Sequence, residues 1–77
     1  MALNPAFAHE LSLLMQFDLS STQQGLKVHS DAAPETVAAA ARLYELGLTD
    51  HVDGGYLTPQ GHEAAEALHM VRRKLGH

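Results

Sequence analysis

Between Leu46 and Gly61 the chain carries a helix stop, a tight hairpin and a helix start in immediate succession, and few architectures accept all three in that order. Gly47 suits the left-handed conformation that closes a helix, and Leu48 follows where it can pack back on Leu43. Asp53-Gly54-Gly55 tolerates positive φ between Val52 and Leu57, which suits a type I′ connection matched to the twist of its strands. With Gly54 and Gly55 central, Val52 faces Leu57 while Asp53 and Tyr56 share the other face; with Asp53 and Gly54 central, the register moves by one residue. The first register pairs the two apolar residues, and the pattern favours it. Thr58 offers a hydroxyl to the free amides of a new helix, and Pro59 sits at its first position, where a missing N–H costs nothing.

The remaining elements follow from the same local rules. Asn4-Pro5 is a cap followed by a first-turn proline, and Phe7, Leu11 and Leu14, widened by Leu13 and Met15, predict a helix from Pro5 to Phe17. Residues 18–25 are rich in side chains that bond their own backbone and read as a loop with room for one helical turn. Leu26-Lys27-Val28-His29 alternates apolar and polar, as a short edge strand beside the hairpin would. A second helix is expected from Pro34 to Leu46, helped by the alanine run at 38–41, with Val37, Ala41, Tyr44 and Leu48 inward and Glu35, Thr36, Ala39, Arg42 and Glu45 outward. Its small side chains permit close approach to a neighbouring helix or to a groove. The last helix, from Pro59 to about Leu75, is expected to bury Ala64, Leu68, Val71 and Leu75 before Gly76 stops it.

Composition bounds the rest. A chain of 77 residues makes one domain, 1–77, and buries only about 60% of its unfolded surface, so a partner subunit would help it. It has no cysteine, so packing alone must hold it. There is no secretion-signal pattern and no apolar run near the roughly 18 residues of a membrane span, so no membrane partner is expected and the cytoplasm is the expected location. The formal net charge of −4 keeps the protein soluble without attracting nucleic acid or anionic lipid as a whole.

Signs of catalysis are missing. The chain has no glycine-rich phosphate loop, no cysteine nucleophile and no nucleophile-elbow serine, and Ser20, Ser21 and Ser30 fall in loop or cap sequence. A non-enzyme without cofactors is expected. Six histidines invite a metal hypothesis, and His62, Glu66 and His69 share one helix face. The helix lacks the second histidine of the zinc-protease signature and no other segment supplies a fourth ligand, so the reading assigns no metal. Arg72-Arg73-Lys74 is the basic cluster; its charges fan around the helix axis and complement the negative end of the helix dipole.

Helix, short strand, helix, two-stranded wing and helix is the order of an α+β, mainly helical domain, a reduced winged helix-turn-helix whose usual second helix has shrunk to what Ser21 to Gln24 can form. Through Thr22-Gln23-Gln24-Gly25-Leu26-Lys27-Val28-His29, Asp31-Ala32-Ala33-Pro34-Glu35, Arg42-Leu43 and Asp53-Gly54-Gly55-Tyr56-Leu57-Thr58, nearly the whole chain resembles a family of small uncharacterised gammaproteobacterial proteins, some labelled as DNA-binding proteins or transcriptional regulators. The resemblance implies a regulatory role, with no ligand or operator attached to it. Taking DNA as the partner, the residues themselves offer Lys27, Thr36 and Arg42 as the nucleic-acid-binding candidates, summed over the two subunits of a homodimer. Charge argues for the alternative, an acidic interaction module that kept the scaffold, lost the basic surface and takes a protein partner.

Overall fold

Each described helix starts on a proline, at the first helical position, where an absent amide costs no intrahelical hydrogen bond. A computed structural model describes residues 4–20 and 25–77, in the order α1 (Pro5–Met15), β1 (Leu26–Lys27), α2 (Pro34–Glu45), β2 (Thr49–His51), β3 (Gly54–Leu57) and α3 (Pro59–Lys74). Asn4 caps α1 by accepting the Phe7 amide at 2.8 Å, and the Thr58 hydroxyl accepts the Gly61 amide at the start of α3. At the end of α2, Gly47 takes φ 79° while its amide bonds the Tyr44 carbonyl and that of Leu48 bonds the Leu43 carbonyl. This paired closure satisfies two carbonyls that a helix end otherwise leaves open.

The three strands form an antiparallel sheet ordered β1-β3-β2, so the second hairpin strand is central and β1 lies beside it as an edge strand, two residues long where the sequence predicted Leu26 to His29. The architecture among the described residues is therefore α+β and mainly helical, with the helix, strand, helix, hairpin, helix order read from the sequence. The possible turn at Ser21–Gln24 lies outside the described residues. No helix among those described is long and apolar enough to cross a membrane.

The hairpin register differs from both sequence alternatives. His51 pairs with Gly54, leaving Val52 and Asp53 as the turn, and Thr49 pairs with Leu57. One extra residue therefore sits on β3, and Asp50 faces Gly55 and Tyr56 together. The bulge turns the Tyr56 amide toward the Asp50 carboxylate, which accepts it at 2.8 Å. Gly55 takes φ 76° within the bulge, and a Cβ there would overlap Asp50 Oδ1 and His51 Nδ1. The glycine pair thus serves the bulge and the close passage of β1, rather than the turn itself.

The core is formed by Leu13 and Leu14 of α1, Val28, Ala39, Ala40 and Leu43 of α2, and Ala65 of α3. Phe17 is also buried. The buried stripe of α2 is Ala39, Ala40 and Leu43, with Thr36 half-buried on the same face; Val37 and Tyr44, expected inside, are exposed. An alanine run carries no hydropathy contrast, so Val37 and Tyr44 set a false phase in the sequence. Small side chains win the inner face because they let α1 and α2 approach closely. Phe7 is likewise exposed, since the first turns of α1 present Pro5, Ala6, His9 and Glu10 to α2 instead. In α3, Ala64 and Leu68 pack at the margin of the core, whereas Val71 (52% exposed) and Leu75 (69%) run beyond it.

Candidate functional site

The three residues singled out by sequence do not converge. Arg42 is exposed on α2, where it lines a shallow groove of about 520 Å³ against α1. The floor of that groove is Ala6, Ala38 and Ala39, and its rim carries His9, Glu10, Glu35 and Arg42. Thr36 lies on the partly covered face of the same helix, turned away from Arg42. Ala39, also expected outward, is buried at the α1 contact.

Lys27 stands on β1 at a separate groove of about 260 Å³, walled by Val28, Val37, Ala41 and Val52. Its ammonium is paired with the Asp53 carboxylate at the hairpin turn. Lys27 holds the Asp53 carboxyl below the usual carboxylate range. The lysine charge is thus answered within the chain, by a residue far away in sequence but brought alongside because β1 borders β3.

The hairpin presents acid. Asp50 accepts the Tyr56 amide and pairs with His51 Nδ1 at 2.6 Å, and these bonds, the amide foremost, hold its carboxyl below the ordinary range. No lysine or arginine stands on β2, β3 or the turn between them. With Lys27 paired to Asp53, the hairpin offers a phosphate no free lysine or arginine among the described residues.

His62, Glu66 and His69, which share a face of α3 by spacing and to which the sequence reading assigned no metal, divide between two surroundings. His62 Nδ1 bonds Glu66 Oε1 at 2.7 Å across one helical turn. His69 turns toward the end of α1, where it lines a hollow with Phe17, Asp18 and Arg73 and buries its Nε2 with no partner among the described residues. Among those residues no three His, Asp or Glu side chains are grouped to hold a metal ion.

Sequence reasoning did not find the α1 wall of the larger groove, His9 and Glu10, or the Lys27–Asp53 pair. The available signal for the first was the alanine run of α2, which marks a helix able to accept a close neighbour; the second depends on strand order. No curated protein and no solved structure matches the chain significantly. Residues 1–76, nearly the whole chain, match one family model, and the protein accordingly belongs to the Family of unknown function (DUF5669).

Proposed function

We propose that the chain is a non-catalytic binding module of winged-helix type that engages a protein partner through the groove between α1 and α2. The observation that carries this reading is the composition of the groove: an alanine floor with Glu10 and Glu35 beside the exposed Arg42. A protein segment offering an apolar side chain and charges of both signs fits such a surface. A polyanion would meet two carboxylates for one guanidinium.

A second reading, transcription-associated DNA binding, draws on one specific feature. Arg42 is exposed on the helix that precedes the hairpin, the place of a recognition helix in this element order, and it enters no ion pair among the described residues. This reading needs two subunits to supply two arginines, because Lys27 is paired with Asp53 and Thr36 is half-covered.

Two measurements separate them. The first titrates labelled duplex DNA with wild-type protein and Arg42→Ala at low and moderate salt. The second places a photocrosslinking residue at the exposed Ala38 in cells. The protein reading expects no saturable DNA binding at low salt, and a discrete protein adduct that Arg42→Glu abolishes. Saturable binding that weakens steeply with salt and is lost in Arg42→Ala would replace it with the DNA reading.

A further inference from the structure

An apolar line runs along α3 to its C-cap residue Leu75. Ala64, Leu68, Val71 and Leu75 recur at spacings of four, three and four, the seam of a helix that packs on a helix. The first two are half-buried at the margin of the core, whereas Val71 and Leu75 continue the line beyond it and are exposed. The seam therefore runs out of the domain with its apolar side chains uncovered.

Nearer its start the same helix carries a recess. Gln60, Glu63, Ala64 and Ala67 line a shallow hollow of about 400 Å³, formed where alanines leave space beside longer side chains. Leu75 lies eleven residues after Ala64, and Lys74 eleven after Glu63. Eleven residues are three turns plus about 20°, so each pair shares one line along the helix, roughly 16 Å apart. When two α3 helices lie antiparallel, Leu75 of each copy reaches Ala64 of the other while Lys74 reaches Glu63. A parallel pairing would set acid beside acid and base beside base.

We propose that two copies of this chain associate through α3 in antiparallel orientation, each inserting Val71 and Leu75 into the other's Ala64–Ala67 hollow with Glu63 and Lys74 paired across the axis. The contact is isologous and closes at two subunits. Glu63 and Lys74 take no part in the ion pairs among the described residues, so both are available. Arg72 bonds the His77 carbonyl at 3.2 Å and is occupied at the helix end instead. A single helix from each side makes a small interface, below about 1,200 Å², the size class of weak and transient complexes. This pairing rests on α3 alone, independently of what the α1–α2 groove binds.

Sedimentation velocity from about 1 μM to about 1 mM tests it. Wild type is expected to shift from monomer to dimer across that range, and Leu75→Asp to remain monomeric with an unchanged circular dichroism spectrum, since Leu75 is exposed in the monomer. Glu63→Lys and Lys74→Glu should each weaken the dimer about tenfold, and the doubly swapped protein should recover it. Monomer throughout the range would overturn the proposal, as would a dimer indifferent to Leu75→Asp and to the charge swaps. Sedimentation with anionic lipid vesicles by a protein that stays monomeric would overturn it in favour of a membrane surface for the same residues.

Discussion

The Thr58 hydroxyl donates to the Gly47 carbonyl at 2.6 Å while accepting the Gly61 amide at 3.1 Å, and so joins the end of α2 to the start of α3 through one oxygen. The Thr58 amide also bonds the Leu48 carbonyl at 3.0 Å. Replacing Thr58 with valine keeps the shape but strands the Gly47 carbonyl and removes the cap. A loss of about 1–2 kcal/mol is expected in urea unfolding, with Thr58→Ser close to wild type.

Gly61 packs against the preceding loop so closely that a Cβ would overlap the Leu48 carbonyl. Gly61→Ala should therefore cost about 3 kcal/mol or more, although alanine is the better helix former. Gln60→Ala, one position earlier and exposed, is the control and should move the thermal midpoint little. Circular dichroism melts of the two variants decide the point.

The phase of α2 predicts a contrast between adjacent positions. Leu43 is 2% exposed and Tyr44 is 47% exposed. Leu43→Ala should destabilise by about 2–5 kcal/mol, enough to unfold much of a domain this small, while Tyr44→Ala should stay within about 1 kcal/mol of wild type. If α2 were turned as its hydropathy suggests, the order of the two effects would reverse.

The bulge gives the hairpin a dependence on acid. Asp50 is held below its ordinary range in the folded chain, so its contribution is complete above the unfolded value of about 3.9 and is lost as pH falls through the lower folded value. Asp53 has the same sign through Lys27. Hydrogen exchange should show reduced protection of the Tyr56 amide in Asp50→Ala at neutral pH. In Asp50→Asn the oxygen can still accept that amide, but the acid dependence contributed by Asp50 should vanish.

What could be read in advance followed the range of the interactions involved. The Asn4 and Thr58 caps and the Gly47 stop act over a few residues, so residue types at fixed offsets revealed them. The hairpin register depended on Asp50 reaching Tyr56 and on β1 passing against Gly54, contacts that local turn preferences do not contain. The inner face of α2 was hidden by alanines, which fit an interior and a surface equally well. For the candidate site, the exposure of Arg42 was legible from its charge alone, since the phase assigned to α2 was wrong. The neutralisation of Lys27 was not, because Asp53 becomes its neighbour only through strand order.

The sheet's two outer strands are two and three residues long, and they carry Lys27 on one side and Asp50 and His51 on the other. Short, charged borders discourage the addition of a foreign strand, which needs a run of open backbone groups and tolerates little charge. The hairpin is therefore protected from edge-to-edge aggregation even though a small domain leaves many apolar atoms in water. The associations proposed above accordingly fall on the helices, where side-chain shape and sign of charge can select what docks.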